Sequence, residues 1–285
     1  MTCLILGGSG QLGRCLQDRM TALQLEYVAP GRDQLDLQDA EALHSLFDTV
    51  KPQAVINAAA YTAVDKAEQE PQLAAEINHI LPARLAQLCK AHAIPLIHIS
   101  TDYVFDGTSC RPYAPSDPRN PVSVYGQTKA EGEKAVLQSG VKGGIIRTSW
   151  LYSEYGHNFV KTMLRLGAER PQLRIVADQV GTPTYAGDLA DAILKMLYSA
   201  DHSLSDVDIY HFSNQGVASW YDFAWHICRL KGLSVEVQPI RTEDYPTPAQ
   251  RPCYSVLNST GFIDKFALSN RHWLEALEHC MTKLV

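Results

Sequence analysis

Three things are missing from this 285-residue chain, and each absence removes a class of protein. Its seven cysteines (Cys3, Cys15, Cys89, Cys110, Cys228, Cys253 and Cys280) contain no CxxC pair and follow no regular spacing. An odd, scattered set argues against a disulfide scaffold and for free thiols in a reducing compartment. No apolar run approaches the roughly 20 residues that span a bilayer, and no basic segment precedes an apolar one at the N-terminus. An excess of positive charge is also lacking: 25 Lys and Arg face 31 Asp and Glu, a net charge of −6. That balance argues against a nucleic-acid surface. A nucleotide ligand stays open, because diphosphates can be held by backbone N–H groups and one or two arginines. The expectation is a soluble, cytoplasmic protein with no nucleic-acid or membrane partner.

What is present fits a sizeable core: 46% hydrophobic and 20% charged residues. The first half alternates short apolar runs with amphipathic stretches. Strands are expected at 3–6, 26–29, 54–58, 95–100 and 144–147. Helical spacing covers 11–23, 39–50, 77–92 and 125–139, with a polar loop at 61–66. Strands alternating with helices of roughly 10–15 residues predict an α/β fold, a doubly wound parallel sheet of Rossmann type. Beyond Trp150 the pattern loosens. Helices are expected at 159–168, 189–198, 220–231 and 272–281, a strand at 235–240, and a proline-rich segment at 245–252. This divides the chain into a dinucleotide-binding domain at 1–152, its sheet completed by parts of 169–212, and a smaller substrate-binding lobe at 153–168 and 213–285.

Gly7-Gly8-Ser9-Gly10-Gln11-Leu12-Gly13 lies between the first strand and the first helix. It reads as GxxGxxG through Gly7, Gly10 and Gly13, or as GxGxxG through Gly8, Gly10 and Gly13. Such glycines let the backbone reach a pyrophosphate at a helix N-terminus, and the last lets the helix pack closely on the strand. An ordinary strand–helix turn is the bland reading, but this βαβ position is the context the motif requires. At the end of the second strand stands Pro30-Gly31-Arg32-Asp33. An acid there would hold the ribose 2′-OH of NAD, and an arginine the 2′-phosphate of NADP. Arg32 comes first, which favours NADPH and leaves NADH open; a solvated loop arginine is the alternative.

Tyr125-Gly126-Gln127-Thr128-Lys129 is a YxxxK motif, whose two functional side chains share one helix face. A nearby ammonium favours the phenolate, so Tyr125 is expected to titrate below its ordinary value and to protonate a carbonyl oxygen as hydride arrives at its carbon. YxxxK alone is a common accident. Upstream, however, a buried strand ends in Ser100-Thr101-Asp102-Tyr103, placing hydroxyl and acid groups at the carboxyl edge of the sheet. Thr101 would hydrogen-bond the substrate carbonyl, and Asp102 would orient substrate hydroxyls.

Several longer segments carry a family resemblance: 57–68 (NAAAYTAVDKAE), 100–105 (STDYVF), 147–152 (RTSWLY), 158–164 (NFVKTML) and 245–252 (YPTPAQRP). Over nearly its whole length the chain resembles the dTDP-4-dehydrorhamnose reductase family of extended short-chain dehydrogenases. The resemblance implies reduction of the C4 ketone of a dTDP-linked deoxysugar, with catalytic Thr101, Tyr125 and Lys129. It implies cofactor contacts from Gly10, Gln11, Leu12, Asp36, Leu37, Ala60, Tyr61 and Thr62, and Lys129 on the nicotinamide ribose. Val64, Asp102, Tyr103 and Trp150 would line the sugar nucleotide. Arg251 is a further candidate for its diphosphate, a surface ion pair being the alternative.

Two departures stand out. Where some members carry glutamates for a magnesium-bridged dimer, this chain has Cys15 and Gly187, so no metal is expected, and a homodimer stays open. The acid some members carry after the second strand is Pro30 here. Other readings are a reductase of a different nucleotide-linked keto-deoxysugar, a dehydratase or epimerase, and a non-catalytic subunit like the regulatory subunit of methionine adenosyltransferase. Similar dehydratases follow Thr-Asp with a catalytic glutamate, where this chain has Tyr103. A regulatory subunit has no need of the intact trio.

Overall fold

The computed structural model describes residues 1–199, 204 and 206–284. Its centre is a six-stranded sheet in the order β2-β1-β3-β4-β5-β10, every neighbouring pair parallel. The strands are β1 (Cys3–Leu6), β2 (Tyr27–Val28), β3 (Ala54–Asn57), β4 (Leu96–Thr101), β5 (Gly143–Thr148) and β10 (Asp208–His211). Side chains alternate across a strand, so a strand buried on both faces reads as an unbroken apolar run. Cys3 and Ile5 of β1 pack with α1 (Gln11–Ala22) and α8 (Ala186–Leu197). Leu4 and Leu6 pack on the other face with α2 (Ala40–Val50) and α5 (Leu81–Ala91). Val136 of α6 (Val124–Ser139) joins that second layer.

The chain leaves β1 outward to β2 and then crosses back to β3, which puts the reversal of direction, and the crevice it opens, at the carboxyl ends of β1 and β3. Expectation and structure differ in several places. The loop expected at 61–66 ends in a one-turn helix, α3 (Val64–Ala67). The helix expected at 77–92 begins earlier, as α4 (Pro71–Ala75), and passes through a π-helical turn at Glu76–Ile80 before α5. The strand expected at 26–29 shrinks to two residues at the sheet edge.

The stretch 169–212 is divided. Its β10 extends the main sheet, whereas β7 (Gln172–Val176) pairs in parallel with β12 (Glu236–Ile240) in the lobe. Three lobe helices, α7 (Phe159–Glu169), α9 (Trp220–Leu230) and α11 (Trp273–Lys283), share a second core. A helix not foreseen, α10 (Thr260–Phe266), sends Phe262 and Phe266 into the main-sheet core, so part of 213–285 belongs with the sheet. The expected spans 169–212 and 213–285 also cover residues 200–203, 205 and 285, which lie outside the described residues. Two-residue strands β6 (Leu151–Tyr152), β8 (Val180–Gly181), β9 (Thr184–Tyr185) and β11 (Ala218–Ser219) pair as β6 with β9 and β8 with β11, in two small sheets apart from the main one. Among the described residues no helix is long and apolar enough to cross a membrane.

Candidate active site

One cleft of about 1110 Å³ runs along the carboxyl ends of the sheet. At one end lies the glycine loop. Gly7 adopts φ +80°, and a Cβ there would stand 2.6 Å from the Ala59 nitrogen. A Cβ on Gly13 would strike the Gly7 carbonyl and come within 2.7 Å of the Gly8 Cα. Gly13 therefore sits behind the loop rather than on the cleft wall, where it lets α1 start hard against β1. No side chain caps α1 and no acid occupies its first turn, so its N-terminal N–H groups and partial positive charge are left for an anion.

Gly7, Gly10, Gln11 and Leu12 line this end, and Arg32, Asp36 and Leu37 face them from the β2 side. Ala60, Tyr61 and Thr62 continue the wall beyond β3. Their backbone is held by a residue no motif announced. Asn78, fully buried in the π-helical turn, accepts from the Tyr61 N–H at 2.9 Å. Its amide donates to the Tyr61 carbonyl at 3.1 Å and to Thr128 Oγ1 at 3.2 Å. It thus ties the cofactor-side loop to the helix that carries Tyr125 and Lys129. π-turns of this kind recur at functional sites.

Thr101, Tyr125 and Lys129 come together in the middle of the cleft, all three buried. Thr101 closes β4, and its side chain accepts from the Tyr103 N–H at 3.2 Å. Helix α6 is seated by Gly126, where any Cβ would strike the Tyr103 carbonyl. The Ser123 hydroxyl caps the helix by accepting from Gly126 N–H (3.2 Å), and Glu68 accepts from Val124 N–H (2.8 Å). Tyr125 meets Tyr103 edge to face, ring centroids 5.4 Å apart.

The electrostatics differ from the expectation for the phenol. Burial pushes Tyr125 up to about 12, with the Thr101 hydroxyl pulling the other way and the Asp102 charge adding to the rise. The ammonium of Lys129 does not bring it down: Nζ donates to the Ile99 carbonyl at 2.6 Å. Burial also lowers Lys129 to about 8, opposed by Glu133 one turn further along α6. Glu133 went unremarked in the sequence, although its i+4 spacing from Lys129 puts it on the same face.

Beyond the trio, Val64, Asp102, Tyr103 and Trp150 line the cleft. Trp150, at φ +47°, stacks on Trp220 of the lobe at 3.6 Å and 7°. Trp220, expected only as the first residue of a helix, lines the cleft as well. Burial holds the Asp102 carboxyl up at about 6, opposed by Ser255 and Thr101. Arg251 is not on the cleft wall. Its guanidinium grips Asp65 bidentately, Nη2 to Oδ2 at 2.7 Å and Nη1 to Oδ1 at 3.1 Å, and so straps the proline-rich segment to α3.

Cys15 is buried on α1, and among the described residues no group of three His, Cys, Asp or Glu stands ready for a metal ion. Glycine loop, uncapped helix and buried hydroxyl–phenol–ammonium trio together suit a nicotinamide dinucleotide and a reducible carbonyl.

Comparisons with known proteins agree with this geometry. The family model described as RmlD substrate binding domain matches residues 1–285. A dTDP-4-dehydrorhamnose reductase of Aggregatibacter actinomycetemcomitans is 40% identical, with 97% of each chain covered. The crystal structure of a dTDP-4-dehydrorhamnose reductase from Clostridium acetobutylicum superposes with a TM-score of 0.94 at 42% identity, covering 100% of this chain and 99% of that one. A Bacillus anthracis dTDP-4-dehydrorhamnose reductase solved in complex with NADP gives 0.93 at 36% identity, covering 99% of each. Matched end to end in sequence and in fold, the chain belongs to the dTDP-4-dehydrorhamnose reductase family.

Proposed function

We propose that this protein reduces the C4 ketone of dTDP-4-dehydro-L-rhamnose to dTDP-L-rhamnose with NADPH, in the cytoplasm, as a step in deoxysugar and surface-polysaccharide supply. The observation that carries the reading is the meeting of Thr101, Tyr125 and Lys129 on the wall of a cleft that begins at an uncapped glycine loop.

NADPH, when bound, supplies the hydride. Gly7, Gly10, Gln11 and Leu12 hold its pyrophosphate through backbone N–H groups, and Arg32 faces the 2′-phosphate. Lys129 holds the nicotinamide ribose once its ammonium turns from the Ile99 carbonyl. Tyr125, protonated at neutral pH and set beside Thr101 on the cleft wall, donates the proton to the carbonyl oxygen. Thr101 orients that oxygen, and Trp150 packs its face against the deoxysugar. Asp65 and Arg251 close the substrate end by joining α3 to the lobe.

The test is loss of reduced-nicotinamide absorbance on adding enzymatically generated dTDP-4-dehydrorhamnose, with NADPH and NADH run side by side. Substrate-dependent oxidation, faster with NADPH, is the expected result. No oxidation of either cofactor by a protein that binds both would overturn the reading.

A further inference from the structure

The Thr101 hydroxyl has one proton and two lone pairs. Its proton is donated to Asp102 Oδ1 at 3.0 Å, and the Tyr103 N–H fills one lone pair at 3.2 Å. The Tyr125 phenol lies close by, near enough for the Thr101 hydroxyl to favour its ionised form. While Asp102 is a carboxylate, Thr101 therefore has nothing left to donate to a substrate carbonyl.

Hydrogen bonds from Ser255, Thr101 and the backbone at Asp102 and Tyr103 favour the Asp102 charge, but burial outweighs them. Asp102 is 2% exposed, it lines the cleft, and its Oδ2 meets no donor at hydrogen-bonding geometry. The Ser255 hydroxyl of the lobe lies near enough to favour the charge but leaves Oδ2 unsatisfied. No cation faces it. Around it stand Thr101 from β4, Tyr103 on its own turn, Tyr125 from α6 and Ser255 from the lobe. The Lys129 ammonium points to the Ile99 carbonyl, and Arg251 lies beyond Tyr103, paired with Asp65. Burial accordingly raises the Asp102 carboxyl to about 6.

We infer that Asp102 sets the direction of the Thr101 hydroxyl, and that the reacting enzyme holds Asp102 as the neutral acid. The inference rests on the reading of Tyr125 as proton donor to a ketone. A protonated Asp102 turns its own O–H onto the Thr101 lone pair that the Tyr103 N–H leaves open. Thr101 then directs its proton at the same carbonyl oxygen, which meets two donors as hydride reaches its carbon. No proton leaves Asp102 or Thr101 in the step. Each O–H changes acceptor, and the proton that ends on the product oxygen is the one from Tyr125.

The experiment is a pH profile of kcat/KM for the keto-sugar nucleotide, at saturating NADPH, for the wild type and for Asp102→Asn. In the wild type kcat/KM should fall about tenfold per pH unit above the ionisation of Asp102, as one required proton is lost. In Asp102→Asn the amide is a permanent neutral donor to Thr101, so this fall should disappear. Infrared difference spectra of the protein alone between about pH 5 and pH 8 should show a neutral-carboxyl band that Asp102→Asn lacks. The inference is overturned if the Asn variant keeps the fall, or loses rate equally at every pH as the loss of a simple acceptor for substrate hydroxyls would cause. Should the variant not fold, a wild-type profile flat from about pH 5 to pH 9 overturns it just as well. Tyr125→Phe separates the two levels: if that variant turns over normally the underlying reading fails, whatever the infrared titration of Asp102 shows.

Discussion

Two buried polar clusters share the wall formed by β4 and α6, and they are built in opposite ways. Beneath the cleft, the Glu133 carboxylate accepts from Arg147 Nε and Nη2 (2.8 and 2.7 Å), from Ser100 Oγ (2.5 Å) and from Arg119 Nη1 (3.2 Å). Arg147 Nη1 goes on to His211 and to the Pro115 carbonyl, and His211 Nδ1 donates to the Tyr113 carbonyl. The cluster is satisfied within the chain. On the cleft side, Asp102 Oδ2 and Thr148 Oγ1 are buried without a partner, and the titrations of Asp102, Tyr125 and Lys129 are all displaced. Each orphaned polar atom costs about 1–3 kcal/mol, and at the wall of a cleft a bound ligand can recover that cost. One cluster is complete within the fold; the other is left open towards the cleft.

The contrast can be broken from either side. The largest effect belongs to the unfinished cluster: Tyr125→Phe should lower kcat about a thousandfold, within the range general acid catalysis supplies. NADPH affinity, followed by fluorescence titration, should change little. Parallel loss of both would mean that Tyr125 only shapes the site. The satisfied cluster should answer in stability instead. Glu133→Ala leaves the fully buried Arg147 charge unpaired and should cost about 3–5 kcal/mol in denaturant unfolding. A loss under about 1 kcal/mol would show that the network is dispensable to the fold.

A third substitution should stabilise. Burial raises the Asp102 carboxyl from 3.8 to about 6, so the folded protein holds that proton more tightly than the unfolded chain does. Stability therefore falls as pH rises from roughly 4 to 6 and stays lower above that range. Asp102→Asn removes the ionisation and should be more stable than the wild type at about pH 8 by up to about 3 kcal/mol, the worth of a two-unit shift. At about pH 4 the two should unfold alike. An equal difference at both pH values would sink the attribution to burial.

The same contrast explains what could be read from the residues alone. Apolar runs and helical spacing placed most of the sheet strands and their helices, because β1, β3, β4 and β5 are buried on both faces and their sequences show it. Gly7, Gly10, Tyr125 and Lys129 were legible because local chain geometry dictates their spacing. Partnerships across long separations were not. Arg251 meets Asp65 across 186 residues, and Asn78 reaches Thr128 across 50. No local pattern encodes either. The π-turn that aims Asn78 lies inside an ordinary helical period, and α10 is too short to show one. The Tyr125 phenol was expected to be lowered by Lys129. Burial, which sequence does not measure, raised it instead.

The smallest of these effects lies at the rim of the cleft, where the contrast is softest because solvent can stand in for a ligand. Arg32 is exposed, lines the cleft beside Pro30 and Gly31, and takes part in none of the ion pairs among the described residues. Its charge contributes nothing visible to the fold, so removing it should leave thermal stability within about 0.5 kcal/mol of the wild type. A 2′-phosphate would give that guanidinium a partner, and one charge-assisted contact at a solvated site is worth about 1–2 kcal/mol. Arg32→Ala should then raise KM for NADPH about tenfold while leaving KM for NADH near its wild-type value. An equal rise for both cofactors would assign Arg32 to the shared part of the dinucleotide. No rise for either would make it a solvated loop residue, and the preference for NADPH would have to come from the backbone around Pro30 and Gly31.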